Sequence, residues 1–319
     1  MGKSEIPSVR LMEGQQMPVM AMGTASITAE EETKAAIVEG MKAGFRHFDT
    51  AYSYGTEKAL GEAIREGVEL GIVKSREELF ITSKLSPAFA HPSLVLNAIQ
   101  ATLEKLKMEY VDMYLIHIPL KLKRVGRGEV GKDDISAMDV KGVWEMMEHC
   151  KILGLTKAIG VSNFSVPTLT HLLSFAKIPP ALNQVEISAV WHQKKLREFC
   201  KAKGIHVTAY SPLGAAGTSW GHNKIVESRV LSQIAEAKGK TTAQVALRWV
   251  YEQEVSIVTK SSNKERMRQN IDIFDWSLSK EELANISQLP QHRAIVFANI
   301  FGHHDLVLHL DAQLNDSQQ

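Results

Sequence analysis

The chain has 319 residues, with 37 Lys and Arg against 36 Asp and Glu, and two isolated cysteines. This length suits one large domain, the balanced charge gives no sign of a nucleic-acid or membrane surface, and the cysteines form no metal or disulfide motif. No apolar run reaches membrane-spanning length and the first residues lack a signal-peptide core, so we expect a cytoplasmic protein.

The first half of the chain alternates short apolar strands with amphipathic helices. Residues 8–20 predict a small hairpin ahead of the main fold. The pattern then predicts a strand at 20–24, a helix at 28–43 capped by Thr28, a strand at 46–49, a helix at 56–73, a strand at 78–84, a helix at 91–106 and a strand at 111–117.

The second half continues this alternation after a long polar loop at 121–137, which favours a functional loop over a linker. It predicts a helix at 140–153, a strand at 158–162, a helix at 166–175, a strand at 181–186, a helix at 193–203, a strand at 206–211, a second long loop at 212–224, helices at 228–237 and 242–253, a strand at 255–259, and helices at 263–270 and 280–287. We expect the tail, 292–319, to pack on the body of the fold.

Strand and helix alternate about eight times with short connections, which indicates parallel strands joined by right-handed crossovers. We therefore predict an α/β fold, a (β/α)₈ TIM barrel, in a single domain spanning 1–319. It would carry an N-terminal β-hairpin, long loops over the C-terminal face and a C-terminal tail. No GxGxxG follows an early strand, which disfavours a doubly wound dinucleotide fold.

Polar residues stand at the ends of successive predicted strands, where such a barrel builds its site. Asp49, Lys84 and His117 end three strands, and Tyr54 follows Asp49 on a short turn. A buried ammonium beside Tyr54 is expected to lower the phenol pKa from about 10, with Asp49 keeping Lys84 charged. His117 would orient a carbonyl oxygen, and Tyr54 would act as the general acid in carbonyl reduction.

Each of these residues alone also fits a structural role, and only their coincidence at successive strand ends favours catalysis. Two other classes of function remain open. Lys84 could form a Schiff base in an aldolase-like barrel. The chain could also be a non-catalytic subunit that retains a bound nucleotide.

A second group of residues fits a nicotinamide dinucleotide. Tyr210 offers a flat ring for stacking. Ser162, Asn163 and Gln184 carry the hydrogen-bonding groups that hold a carboxamide. These residues also lie at predicted strand ends, so the same end of the barrel would bind both cofactor and substrate.

The segment 260–270 joins the last strand to a helix and carries several cations, which suits a phosphate. Arg266 suits an adenine ring and a 2′-phosphate. The alternative is a solvated basic helical turn, and this alternative fits Lys264 and Arg268 better than the cluster as a whole.

The motifs at 44–57, 108–117, 158–164, 183–186, 209–214 and 260–270 together resemble the aldo-keto reductase family, over nearly the whole chain. The resemblance implies a (β/α)₈ barrel, NADPH-dependent carbonyl reduction, a monomer without a metal, a small-molecule carbonyl substrate, and a catalytic tetrad of Asp49, Tyr54, Lys84 and His117. It implies cofactor contacts from Thr24, Asp49, Ser162, Asn163, Gln184, Tyr210, Ser211, Leu213, Lys260, Ser261, Arg266, Gln269 and Asn270.

Residues 74–84 and 203–217 are similar to the plant branch, which contains chalcone (polyketide), codeinone, galacturonate and methylecgonone reductases. Ala25, Ser86 and Ile118 stand where relatives often carry Trp, which predicts a wider and less aromatic pocket. We expect a bulky ketone such as a tropane-type alkaloid ketone, with a polyketide or a sugar acid as alternatives. Trp191 and Trp220, on loops after strand ends, could refill the pocket.

Overall fold

The computed structural model describes residues 6–12, 14–25, 29–123, 134–218 and 221–316. Its strands are β1 (Ser8–Arg10), β2 (Gln16–Pro18), β3 (Met20–Gly23), β4 (His47–Asp49), β5 (Phe80–Leu85), β6 (Val111–Ile116), β7 (Leu120–Leu122), β8 (Ile135–Ala137), β9 (Thr156–Ser162), β10 (Leu182–Glu186), β11 (His206–Tyr210) and β12 (Ser256–Thr259). Strands β3 to β6 and β9 to β12 form a closed barrel. Every pair in it is parallel, and β12 closes on β3 with Ile257 opposite Met20.

In the described ranges, eight helices connect the barrel strands on the outside and four more follow the last strand. They are α1 (Glu30–Ala43), α2 (Glu57–Glu69), α3 (Pro92–Leu106), α4 (Val140–Ile152), α5 (Val166–Leu173), α6 (Lys194–Ala202), α7 (Arg229–Lys238), α8 (Thr242–Glu252), α9 (Lys264–Ile271), α10 (Lys280–Ser287), α11 (Phe297–Phe301) and α12 (Asp305–Asp316). The predicted (β/α)₈ barrel is therefore confirmed. No helix in the described ranges combines the length and the apolar character that crossing a membrane requires.

Burial explains why these residues form a barrel. Every residue of β5 and β6 is buried, which is the pattern of a parallel strand covered by helices on one side and by barrel interior on the other. Several helices begin at a side-chain cap, such as Thr241, whose hydroxyl and the Gln244 side chain satisfy each other's backbone N–H groups.

The hairpin β1–β2 closes the N-terminal end of the barrel. Its Leu11 and Met17 are buried in one cluster with Met113 and Leu115 of β6. Packing at this end leaves the opposite end, where the strands finish, as the place for a site.

Four details differ from the sequence prediction. Helix α1 starts at Glu30 after Ala29, and the predicted cap Thr28 lies outside the described residues. Helix α2 ends at Glu69, because the chain turns through Gly71 at a φ of 68°. The first long loop contains the antiparallel pair β7–β8. The tail contains two helices, α11 and α12.

Candidate active site

Three strand ends bring Asp49, Lys84 and His117 together around Tyr54. Lys84 is 0 % exposed, and its Nζ donates to Asp49 Oδ1 at 2.5 Å, to the Thr50 carbonyl at 2.9 Å and to the Tyr54 hydroxyl at 3.4 Å. The His117 ring stands edge-on to the Tyr54 ring, with centroids 5.5 Å apart. One ammonium thus links a carboxylate to a phenol beside an imidazole.

A short turn after β4 places Tyr54. It is a 3₁₀ turn over Tyr52–Tyr54 that ends at Gly55, whose φ of 72° is a conformation that favours glycine. The hydroxyl of Thr56 lies 3.1 Å from that of Thr50 and 2.8 Å from that of Thr24. These contacts fix both ends of the turn, so the phenol is held over the strand ends.

Burial has a larger effect on Tyr54 than the sequence prediction allowed. Burial raises the pKa of Tyr54, and the opposing effect of the Lys84 charge does not reverse it. The expectation that Lys84 lowers the phenol pKa below its ordinary value is therefore wrong. Because its pKa is raised, Tyr54 stays protonated, and the Lys84 ammonium is in place to stabilise the phenolate once the proton has left.

The site keeps Lys84 charged and His117 neutral. Burial alone would lower the pKa of Lys84, but Asp49 and Tyr54 outweigh burial and raise it, so the amine stays charged. Burial, followed by the Lys84 charge, lowers the pKa of His117 to about 3, so the imidazole is neutral near pH 7. Its Nδ1 is buried and has no hydrogen-bond partner among the described residues.

A second set of hydrogen bonds extends from Asp49 along β9 and β10. Gln184 donates from Nε2 to Asp49 Oδ2 at 2.7 Å, and Ser162 donates from Oγ to the Gln184 carbonyl at 2.8 Å. Both side chains are buried. The bond to Asp49 fixes the orientation of the Gln184 amide, whose Oε1 is its acceptor and whose Nε2 has a second N–H to donate.

Asn163 ties this set to the ring of Tyr210. Its Nδ2 donates to the His117 carbonyl at 2.9 Å, and its Oδ1 accepts from the Tyr210 hydroxyl at 2.7 Å. Asn163 has a φ of 63° and Ser211 a φ of 49°, values that non-glycine residues seldom adopt. Such backbone strain clusters at functional sites, and here it falls on two predicted cofactor positions.

The cations after β12 divide into two kinds. Lys264 lies 3.1 Å from Glu39, and Arg268 lies 4.0 Å from Glu265. Within the described ranges, neither Lys260 nor Arg266 forms an ion pair, and both are exposed. Lys260 and Arg266 are therefore the members of the cluster available to a phosphate.

The other predicted cofactor residues lie around these groups. Asn270 donates from Nδ2 to Thr259 Oγ1 at 3.1 Å, and Gln269 donates to Glu265 at 3.4 Å. The Ser261 hydroxyl accepts from the backbone N–H of Asn263 at 3.1 Å, while Leu213 is partly buried. Asn270, near the C-terminal end of α9, thus ties this helix to the end of β12.

The predicted substrate-pocket residues fall in different surroundings. Ala25 is exposed, whereas Ser86 and Trp191 are buried. Ile118 is buried in a cluster that includes the tail, so a neighbouring segment covers the side chain. Trp220 lies outside the described residues. Of the three positions without an indole, Ala25 is the one that leaves open surface.

The sequence prediction missed two groups that form hydrogen bonds at or near the site. The Thr50 carbonyl accepts from Lys84, and no pattern of side chains marks a backbone acceptor. Glu186 belongs to a quoted motif but received no role, although its carboxylate is buried and hydrogen-bonded to the tail. The sequence signal that could have identified Glu186 is an acidic residue at the end of a predicted buried strand.

Comparison with known proteins agrees with this geometry. The profile of the Aldo/keto reductase family matches residues 19–290. The chain belongs to the aldo/keto reductase family. It is therefore an oxidoreductase of the carbonyl-reducing kind.

Two curated relatives of this aldo/keto reductase illustrate the range within the family. The chain is 58% identical to D-galacturonate reductase from Fragaria ananassa over 98% of its length and 100% of the relative's. It is 52% identical to NADPH-dependent codeinone reductase 1-4 from Papaver somniferum, over 92% of each chain.

Among solved structures, the chain is similar to an aldo-keto reductase from Bombyx mori determined in complex with NADP. The TM-score is 0.84 at 34% identity, covering 92% of this chain and 96% of that one.

Proposed function

We propose that this aldo/keto reductase reduces a ketone or aldehyde to an alcohol with NADPH, and that Tyr54 supplies the proton. The observation that carries the proposal is the position of the Lys84 ammonium, 2.5 Å from Asp49 and 3.4 Å from the Tyr54 hydroxyl. The relative named NADPH-dependent and the neighbour solved with NADP support the choice of cofactor.

The chemistry divides between cofactor and protein. When bound, NADPH supplies the hydride that reaches the carbonyl carbon. Neutral His117 and the Tyr54 hydroxyl hold the carbonyl oxygen, and the Tyr54 proton passes to that oxygen as negative charge develops there. The phenolate that remains on Tyr54 is stabilised by Lys84, which Asp49 keeps charged at a fully buried position.

The chemistry of the polar groups fits a dinucleotide phosphate. Ser162, Asn163 and Gln184 would hold the carboxamide, and Tyr210, fixed by Asn163, would stack on the nicotinamide ring. Lys260 and Arg266 would take the 2′-phosphate, with Ser211, Leu213, Ser261, Gln269, Asn270 and Thr24 along the rest of the molecule.

The alternatives drawn from the sequence are disfavoured. A Schiff base needs a neutral amine, but the raised pKa of Lys84 keeps this amine charged. Borohydride trapping of a carbonyl compound on Lys84 would reverse this judgement. The proton-donating set is complete, which counts against a non-catalytic nucleotide-binding subunit.

For the substrate we propose a bulky ketone, such as a tropane-type alkaloid ketone resembling methylecgonone. Ala25 supports this class, since it leaves the mouth of the barrel without a ring at that position. The similarity to a codeinone reductase supports it as well. A sugar acid is the second candidate, favoured by the 58% identity to D-galacturonate reductase.

Consumption of NADPH with matched carbonyl compounds tests both levels of this proposal. The panel contains a bicyclic amino ketone, a codeinone-type ketone, a chalcone-type polyketide, D-galacturonate and a small aldehyde. The highest kcat/KM on a bulky ketone supports the substrate class. Highest activity on D-galacturonate or on the small aldehyde contradicts that class but retains the reductase, whereas no turnover of any carbonyl contradicts the reductase itself.

A further inference from the structure

The tail, residues 292–316, lies against the mouth of the barrel. Ala294, Ile295 and Phe297 are buried in one cluster with Ile118, the residue that follows His117, and Tyr210 packs against the same cluster. The tail therefore contacts Ile118, next to His117, and Tyr210, the predicted stacking residue for nicotinamide. Its placement therefore bears on the shape of the pocket.

A buried carboxylate on a barrel strand holds the start of this tail. Glu186 is 2 % exposed, and its two oxygens accept hydrogen bonds from the backbone N–H groups of Ala294 at 2.6 Å and Ile295 at 2.8 Å. Glu186 stands two residues after Gln184 on β10, so both side chains project from the same face of the strand. One strand thus anchors Asp49 through Gln184 and the tail through Glu186.

A second carboxylate secures the next turn of the tail. Asp311 accepts from the backbone N–H groups of Phe297 at 3.0 Å and Ala298 at 2.8 Å, the first amides of α11. It also pairs with Arg293 at 2.9 Å. Val296, at the N-cap position of α11, forms no side-chain cap bond, so Asp311 takes the place of a local cap.

We propose that Glu186 is a positioning residue for substrate binding, which fixes residues 294–298 as one wall of the pocket by binding two backbone amides, with Asp311 completing the clamp. The effect on substrate rests on the proposed reductase activity, whereas the clamp itself does not. Two carboxylates satisfy four backbone donors in a segment that, within the described ranges, pairs with no barrel strand. Breaking these hydrogen bonds should loosen residues 294–298 without altering the contacts among Asp49, Tyr54, Lys84 and His117.

Glu186→Gln tests the proposal, because glutamine presents an NH₂ group where one backbone N–H needs an acceptor. A buried unsatisfied donor costs roughly 1–3 kcal/mol, a factor of about 5 to 150. We expect hydrogen exchange at Ala294 and Ile295 to speed up about tenfold or more, while the barrel strands keep their protection. The KM for the best carbonyl substrate should rise by a similar factor, with kcat and the Kd of NADPH nearly unchanged.

Glu148→Gln is the matched control. Glu148 is 5 % exposed on α4, and it accepts from the backbone N–H groups of Lys177 at 2.7 Å and Ile178 at 2.8 Å, far from the mouth. Both N–H groups donate to the same oxygen, Oε1, so glutamine at position 148 can keep the two bonds. This variant therefore tests the loss of a buried carboxylate by itself, and it should neither raise KM nor expose the tail. A KM that rises equally in both variants would reduce Glu186 to a general stabilising residue and overturn the proposal.

Unchanged exchange at Ala294 and Ile295 in Glu186→Gln also overturns it. Should that variant fail to fold, Asp311→Asn makes the same test from the tail, with exchange read at Phe297 and Ala298. Exchange is measured without substrate, so a wild-type chain that reduces no carbonyl refutes the proposed function and leaves the clamp to be judged by exchange alone.

Discussion

The Lys84–Asp49 pair permits a quantitative test, because both partners are almost completely buried and the pair is 2.5 Å long. The perturbations are Asp49→Asn, Lys84→Met and the double substitution, all measured without cofactor. Asp49→Asn removes the negative charge that compensates the buried ammonium, and the one amide oxygen that remains can serve either Lys84 or Gln184, both of which donate to Asp49. Lys84→Met leaves a buried carboxylate with Gln184 as a remaining donor.

The magnitude follows from the uncompensated charge. Removing one partner of a buried ion pair costs about 3–5 kcal/mol, whereas replacing both partners with neutral groups is often close to neutral. We expect the loss of unfolding free energy in the double variant to be smaller than the sum of the two single losses by about 3 kcal/mol or more. The charged state of Lys84 in the folded chain is the physical origin of this coupling.

Denaturant unfolding of the four proteins measures this coupling energy. A matched surface pair, Lys58 and Glu30 at 2.8 Å, serves as the control, because solvent screens exposed charges and should leave no measurable coupling there. Single effects at positions 49 and 84 that add to the double effect within about 0.5 kcal/mol would refute the reasoning.

Three further predictions concern titration and cofactor choice. Because the pKa of His117 is about 3 and that of Tyr54 is raised, kcat/KM for reduction should show no ionisation from about pH 5 to 8, and a break near 6.5 contradicts this. Burial lowers the pKa of His206 to about 4, so the unfolded chain binds that proton first and stability is lost as pH falls from 6.5 towards 4. His206 contributes at most about 3 kcal/mol to this loss. Because burial also lowers the pKa of His117 and His47, His206→Gln should remove part of the pH dependence of urea unfolding and leave the rest. Arg266→Ala should weaken NADPH binding roughly tenfold or more and leave NADH binding unchanged. The control is Arg268→Ala, which removes a guanidinium that faces Glu265 and should leave the affinity for both cofactors unchanged. Equal losses of NADPH and NADH affinity in Arg266→Ala would exclude a phosphate role.

The sequence predicts the barrel and the meeting of its strand-end side chains because both depend on a repeating pattern. Asp49, Lys84 and His117 lie far apart in the chain, yet parallel strands of one barrel end at the same face, so their positions in three strands are enough to bring them together. The pairing of Lys84 with Asp49 follows in turn, since a buried ammonium needs a carboxylate.

The remaining features depend on depth and on distant contacts, which the sequence does not encode locally. The pKa of Tyr54 results from a competition between burial and the Lys84 charge, and only coordinates show that burial prevails. The contact of Glu186 with Ala294 spans 108 residues and uses backbone amides, which leave no trace in side-chain pattern. The pair β7–β8 is short and lies next to a polar stretch, so the hydrophobic periodicity missed it.

The most direct test of the account compares Tyr54→Phe with Tyr52→Phe, two substitutions on the same 3₁₀ turn that each remove one phenol hydroxyl. Tyr52 is a close control, because its ring also has a lysine beside it, Lys105 at 3.4 Å from the centroid, but it contacts Phe89 instead of His117. The measurement is turnover of the best carbonyl substrate, together with the Kd of NADPH. We predict that Tyr54→Phe loses reduction by about 100-fold or more at unchanged NADPH affinity while Tyr52→Phe stays active. Full turnover in Tyr54→Phe would contradict the central claim.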